Sequence, residues 1–490
     1  MRERKFTRRT MLRRSAHAAA AAALAGCLPI QHNKRIHMKS FNVREYGAAG
    51  DGRSLDSPAI QKAIDAAAAS ASADNPVRVL IPKGLFTIGT IHLRSHMDFH
   101  LEEGARLTLS PDVAHYRAHP GVIAEGFAGS EAAVVADDAV GLKISGPGII
   151  DGRSLQFMDH YEEENEWWIP KDFRPRLVVL TNCRDLEVRD VTLADSAIWT
   201  LHLIGCEHAL IEHVKVRNRL DVPNSDGIDP DHCRDVEIRN CDVLCGDDAI
   251  VVKATRGAGG PGRRFGACEN IIVKDCIIET QDCGLKIGSE TWSDIRNIRF
   301  ERCKFKTCSR GIGIILRDEG SVYDILYKDI EFTSRYYSDP WWGRGEPISL
   351  TAIPRNPDSK LGTIHNIRIE NVTARCENSA RIDGTAQSRI RDVTLQNVSL
   401  TLDRWTKYKG NLFDSRPTTA QPGIEPHGTP GFCVRRADNV ALNNCRVAWG
   451  ANIPDYFTHA LEAQDAKNLT YPAFTGNAAH PDRDKAIVIS

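Results

Sequence analysis

From about residue 180 onward an eight-residue pattern returns nine times: apolar, any, apolar, two others, apolar, any, apolar. It reads Leu186-Val188-Val191-Leu193, Ala209-Ile211-Val214-Val216 and Val236-Ile238-Cys241-Val243 in its first three copies. It runs on through Ile271, Ile298, Ile325, Ile367 and Val393, and ends as Val440-Leu442-Cys445-Val447. Successive copies start 23, 27, 35, 27, 27, 42, 26 and 47 residues apart. A floor near 23 with occasional long gaps describes a fixed coil carrying insertions of variable size. Alternation of two within each half is strand periodicity, and the two-residue step turns the chain. The segments are rich in Val and Ile and too short for helical faces. A leucine-rich repeat would need a ladder of leucine and asparagine, which the pattern lacks. The fold class is all-β: coils of short strands, stacked about 4.8 Å apart as a parallel β-helix.

The cysteines fit that coil. Cys241, Cys276, Cys303 and Cys445 replace an inward apolar residue, while Cys183, Cys206, Cys233 and Cys268 each fall three residues before a copy begins. Stacked reduced thiols acting as small apolar groups are expected, rather than disulfides, and no CxxC pair points to zinc. Upstream, Phe41–Gly47 and Gly50-Asp51-Gly52 precede a helical stretch with an apolar stripe of Ile60, Ala63, Ile64 and Ala67. Asp56 or Ser57 is expected to cap this short N-terminal helix, which would cover the open first coil. Long insertions at 255–266, 335–362 and 403–435 are candidate cleft walls.

Residues 1–26 carry seven basic and one acidic side chain, and the whole chain has a formal net charge of −1. That leaves the remainder near −7, against a nucleic-acid partner. Arg8-Arg9 before the alanine-rich run 16–24 resembles a twin-arginine export signal, and Leu24-Ala25-Gly26-Cys27 resembles a lipoprotein box. The expected organisation is a signal over 1–26, lipidation at Cys27, a linker over 27–40 and a catalytic domain over 41–490. No apolar run reaches the roughly 20 residues that span a bilayer. The expectation is a monomer exported to the periplasm or cell surface, with membrane attachment through lipid alone.

Two segments match one coil apart: Asn224-Ser225-Asp226-Gly227-Ile228 and, 22 residues later, Gly246-Asp247-Asp248-Ala249-Ile250. That offset stacks Asp226 on Asp248, about 5 Å apart, with Asp247 beside them. Three acids so close cannot all ionise easily, so one should hold its proton near neutral pH. A protonated acid beside ionised partners is what glycoside hydrolysis uses. Turn-forming or calcium-binding aspartates are the plainer alternatives.

These motifs resemble those of the polygalacturonase family, glycoside hydrolase family 28. The resemblance implies a right-handed parallel β-helix and inverting hydrolysis of pectic polysaccharides or oligosaccharides without a cofactor. It implies Asp247 as general acid, with Asp226 and Asp248 positioning and activating water. The family's Gly-His-Gly motif falls on Asp282-Cys283-Gly284, so Cys283 replaces the histidine and an extra acid, Asp282, stands beside it. The Arg-Ile-Lys motif is expected on Ile315-Leu316-Arg317, where the arginine is missing. An exo-acting branch, or one acting on another pectic linkage, is therefore as well supported as endo-polygalacturonase activity.

Asn224, Asp282, Lys253, Lys286 and Arg317 are the candidate polar contacts to substrate. Trp341 and Trp342, in the insertion Tyr336–Gly343, are candidate stacking platforms or anchors for their loop. His232 reads as a turn residue, and Glu290 as a cleft-lining acid without a fixed role. A β-helix also hosts lyases, epimerases and non-catalytic glycan binders, so the fold alone does not choose among them.

Overall fold

Each of the nine copies has two left-handed corners: the residue before its first apolar position and the second residue of its two-residue step. Those eighteen residues, from Asp185 and Asp190 to Asn439 and Asn444, have φ between +50° and +63°. Fifteen of them are Asn or Asp, the side chains that tolerate this region best. The corners explain the two-residue step: the chain turns outward-in at a fixed place, and inward alternation restarts. Corner asparagines then bond from rung to rung. Asn297 Nδ2 donates to Asn270 Oδ1 at 2.6 Å, Asn397 to Asn371 at 2.9 Å, and Asn444 to Asn397 at 2.8 Å. An asparagine ladder is thus present on the outer corners of this repeat.

The computed structural model describes residues 38–119, 130–260 and 262–490. Arg8, Arg9, Cys27 and the whole expected signal lie outside the described residues. Lys39–Ser490 form one unit, a parallel β-helix with three strand columns. One column runs through Arg184–Arg189, Glu207–Glu212 and Arg234–Arg239, a second through Thr192–Ala194, Lys215–Arg217 and Asp242–Cys245. The third runs through Arg176–Thr181, Leu201–Ile204, Ile228–Asp231, Ile250–Ala254, Cys283–Thr291 and Arg310–Leu316. It continues to Ile348–Ala352, Ala380–Asp383, Phe432–Asn443 and Leu461–Lys467. In the three coils of Val322–Ser334, Ile364–Cys376 and Ile390–Leu402 the first two columns fuse into 13-residue strands bent at the corner.

The core is the continuous stack of inward residues along the axis. Ile238, Ile271, Ile298 and Ile369 are fully buried in it, each such side chain contributing on the order of 1.5–3 kcal/mol. All thirteen described cysteines are free thiols, and eleven of them belong to this core. The helix Ser57–Ala68 lays Ile60, Ala63, Ile64 and Ala67 against the first coil. Neither expected cap works as one. Asp56 Oδ1 accepts from the Ala49 amide at 2.6 Å and Ser57 Oγ from the Gly89 amide at 2.7 Å, so both side chains tie loops to the first coil while Pro58 starts the helix.

Candidate active site

The register Ile228↔Ile250↔Leu285 puts Asp226, Asp248 and Cys283 on successive rungs of the third column, at the entry of three strands. Ser225, Asp247 and Asp282 stand one residue upstream on the same rungs. Backbone approaches closely here. A Cβ on Gly227 would lie 2.4 Å from the Ala249 carbonyl oxygen, and one on Gly246 would lie 2.2 Å from that of Val222. Asn224 takes φ +57° just before, and its amide donates to Asp247 Oδ2 at 3.0 Å. Asp247 Oδ1 accepts from the Asp248 amide at 2.8 Å.

One carboxylate oxygen from each of Asp226, Asp247 and Asp248 lies within 4.8 Å of the others. Asp226 and Asp248 are buried; Asp247 is half-buried and faces the open side. Lys253 Nζ donates to Asp226 Oδ2 at 3.0 Å and lies 3.1 Å from Asp229 Oδ1, resting 3.5 Å from the centre of the Trp199 ring. Lys286 Nζ donates to Asp248 Oδ2 at 2.6 Å. Asp248 Oδ1 is buried with no hydrogen-bond partner among the described residues.

Burial first, then the charges of Asp226 and Asp248, push the Asp247 carboxyl up to about 7. Burial also raises Asp248, against the pull of Lys286. Asp282 rises well above the carboxylate range through burial and through Asp248 and Asp247. Asp229 rises too, burial outweighing Lys253. Glu290 moves the other way: burial opposes its charge, but Lys253, Arg355 and Lys286 hold it below its usual value. The site therefore sets proton-holding acids beside lysine-bound carboxylates.

The structure brings Asp226, Asp247, Asp248, Asn224, Asp282, Lys253 and Lys286 together. It does not bring Arg317 with them. Gly313 is the residue opposite Lys286 on the next rung, and Arg317 lies past the strand end. Its guanidinium is buried, donating to the carbonyls of Ser415 at 2.8 Å, Pro417 at 2.9 Å and Ile353 at 3.1 Å. Arg317 is corrected from a substrate contact to a clamp on residues 403–431, the part of the 403–435 insertion that precedes the strand Phe432–Asn443. Ile315 is buried on the outer face and offers no polar group.

The two tryptophans separate. Trp341 is buried with its ring edge-on to Trp167 at 5.7 Å, so it anchors the insertion instead of facing sugar. Trp342 stays half-buried, its ring centre 5.9 Å from Lys286 Nζ, at the rim of the site. Cys283 faces outward beside Gly313, its thiol raised by burial and by Asp248. His232 lies between two carbonyls of the 255–266 insertion, Nδ1 2.8 Å from that of Gly266 and Nε2 3.0 Å from that of Thr255, and ties the insertion to the coil.

Several residues escaped the sequence reading. Arg174 donates to Asn224 Oδ1 at 3.1 Å and to the Pro223 carbonyl, fixing the motif from below. Trp199 carries Lys253, and Asp229, the residue directly after the Asn224–Ile228 motif, pairs with the same lysine. The antiparallel hairpin Met158–Glu162 with Trp167–Pro170 is an insertion ahead of the repeat. The Trp168 amide donates to the Asp221 carbonyl, bringing the hairpin to the site's edge. Its Trp167-Trp168 pair was the available signal.

The protein is thus a parallel β-helix with a cluster of aspartates at the strand entries of one column. The family model for glycosyl hydrolases family 28 matches residues 71–411, and the chain belongs to that family. A second model, rhamnogalacturonase A/epimerase, pectate lyase-like, matches residues 40–99. An exopolygalacturonase of Zea mays is 25% identical over 385 residues, covering 76% of this chain and 84% of its own length. A Vitis vinifera protein named "Probable polygalacturonase" is 24% identical over 375 residues, 74% of each chain. Among solved structures, the family 28 exopolygalacturonase of Yersinia enterocolitica superposes with a TM-score of 0.67 at 17% identity, covering 88% of this chain and 78% of that one.

Proposed function

We propose that this protein is an exported, exo-acting glycoside hydrolase that removes units from an end of pectic oligosaccharides by a single inverting displacement. The observation that carries the reading is a proton-holding Asp247 within 4.8 Å of two lysine-bound carboxylates, Asp226 and Asp248. Asp247 gives its proton to the glycosidic oxygen as the bond to the anomeric carbon breaks. Asp226 and Asp248 hold one water between them. Asp248 Oδ1, otherwise unpartnered, takes the water's proton as its oxygen attacks the opposite face of the sugar. The reaction as written needs an acid, a base and water.

Exo action is supported by how the insertions cover the outer face of the third column. On its C-terminal rungs, Arg310 and Arg381 hold the Asp414 carbonyl at 3.2 and 2.9 Å, Arg317 holds Ser415 and Pro417, and Arg435 pairs with Glu425 at 2.9 Å. On the N-terminal rungs, Phe265 packs on Val135, Val179 and Ile204. Laterally, the hairpin and the later insertions interlock: Lys407 Nζ lies 2.5 Å from Glu166 Oε1, Tyr408 Oη donates to Glu166 Oε2 at 2.8 Å, and Ser338 bonds the Asn165 carbonyl. Of the site's side chains, Asn224, Asp247, Glu290 and Trp342 keep partial exposure while the lysines and the other aspartates are buried, a small opening that suits a chain end better than a continuous polymer. Pectic substrate is supported by the family, by the names of its relatives, and by Lys253, Lys286 and Trp342 at the site. Export and lipidation rest on Arg8-Arg9 and on Leu24–Cys27.

One observation favours a second reading. Carboxylates within 4.8 Å are closer than the roughly 6.5–9.5 Å usual for an inverting pair, and nearer the about 5 Å of a retaining one. Proton NMR of the first product distinguishes them, since inversion and retention give opposite anomers. The primary test incubates the protein with homogalacturonan, rhamnogalacturonan and neutral-capped oligosaccharides and weighs the products. Single units released with the gain of one water are expected; unsaturated products would replace hydrolysis with elimination, and mixed internal fragments would remove the exo claim.

A further inference from the structure

His427, Cys433 and Glu462 form a second chemical cluster on the same sheet face. The register Lys286↔Gly313↔Ser349↔Arg381↔Cys433↔Glu462 puts Cys433 four rungs beyond Lys286, about 19 Å at the inter-strand spacing. Eleven described cysteines point into the core; Cys433 is one of two that do not, and it is nevertheless buried. His427 comes from the 403–431 insertion and Glu462 from the following coil, each about one-fifth exposed. One ligand atom from each of the three lies within 4.8 Å of the other two.

The imidazole is oriented as a ligand. His427 Nδ1 lies 2.6 Å from the Gly428 carbonyl oxygen and must donate to it, which leaves Nε2 as the basic nitrogen of the neutral ring. Phe413 stacks on the ring at 4.3 Å and fixes its plane. Nε2 then faces Glu462 Oε1 at 3.3 Å, a contact that either a ring proton or a metal cation between the two atoms satisfies. A proton would serve two groups. The thiol of Cys433 is a third donor within 4.8 Å of both, and bonds of about 2.0–2.1 Å in tetrahedral array separate nitrogen and oxygen by about 3.3 Å. Imidazole, thiolate and carboxylate together select a borderline-soft divalent ion.

We propose that His427, Cys433 and Glu462 bind a divalent cation of the zinc class, with solvent in the fourth position, pinning the 403–431 insertion to the coil. Binding releases the Cys433 thiol proton to solvent, and thiolate with carboxylate balance the two positive charges.

The test strips the mature protein with a chelator and titrates it with Co²⁺ and then Zn²⁺. Expected are one Co²⁺ per chain, visible bands of tetrahedral Co²⁺, a thiolate-to-metal charge-transfer band, and displacement by Zn²⁺. Cys433→Ser should abolish the charge-transfer band, and His427→Gln and Glu462→Gln should each weaken binding at least tenfold. Those two variants keep the test valid should Cys433→Ser not fold. Asp247→Asn should bind as the parent does, which separates this site from the aspartate cluster. Zn²⁺ should also slow proteolytic cleavage within 403–431. Substoichiometric binding, or a Co²⁺ spectrum unchanged in all three variants, would overturn the proposal; binding without protection would overturn the pinning.

Discussion

Lys286 donates to Asp248 at 2.6 Å from the next rung of the same column, and Lys253 does the same for Asp226 at 3.0 Å. Each buried acid is thus charge-balanced by a lysine one coil later. Asp247, between them in the chain, has no such lysine. Among the described residues it receives two backbone amides, from Asn224 and Asp248. One coil repeat therefore divides three chemically identical side chains into two charge-balanced groups and one that retains its proton.

That division fixes a pH dependence. Asp247 must be protonated to act, so activity should fall as pH rises through about 7. Its folded value lies above the ordinary 3.8, so the folded chain binds more protons than the unfolded one between those limits, and the Asp247 contribution to stability declines over that window. Asp247→Asn should remove that decline, raising Tm at pH 8 relative to the parent while lowering kcat by about 10²–10⁴. Thermal melts and initial rates across pH 4–9 check both; retained activity in the variant would sink the assignment of the acid.

Breaking one pair should cost more than removing it. Lys286→Met leaves the Asp248 carboxylate buried and unbalanced, with an expected loss of about 3–5 kcal/mol. Adding Asp248→Asn removes the orphaned charge and should restore most of that stability without restoring activity. Urea denaturation of the two single variants and the double variant reads the coupling directly; additive losses would mean that the two groups act independently.

How far the sequence could be read follows from distance along the chain. The stacking of Asp226 on Asp248 was visible because 22 residues is one coil, so linear spacing became vertical alignment. The column fold was visible for the same reason. Arg317 was misplaced because its partners, Ser415 and Pro417, lie about a hundred residues away in an insertion that no periodicity positions. Trp341 and Trp342 are adjacent and equivalent in the sequence; only Trp167, from a hairpin ahead of the repeat, buries one and leaves the other at the rim. The caps failed at Asp56 and Ser57 because loop amides from the first coil compete for the same oxygens.

The two tryptophans should behave differently on substitution. Trp341→Ala removes a buried ring and should destabilise the fold by about 3–5 kcal/mol, with activity lost in proportion to folded protein. Trp342→Ala should leave Tm within about 1 °C and raise KM, because a rim ring contributes sugar stacking on the order of 0.5–1.5 kcal/mol. Equal Tm losses in the two variants would mean that both rings are anchors.

The corner rule can be tested away from any chemistry. His213 occupies a left-handed corner at φ +54°, is about half exposed, and among the described residues pairs with Asp190 alone, at 3.6 Å. Its rung neighbours in the same corner, Asp190 and Asn240, are the residue types that adopt this conformation with least strain. His213→Asn should therefore stabilise the protein by about 0.5–1 kcal/mol, through relief of backbone strain and a further rung in the side-chain ladder. His213→Val, with a β-branched side chain in the same conformation, should destabilise by about 1–2 kcal/mol. Urea midpoints at constant m would report both. Equal stability for the two variants would mean that the corners are set by the strands they join, with the corner side chain contributing nothing.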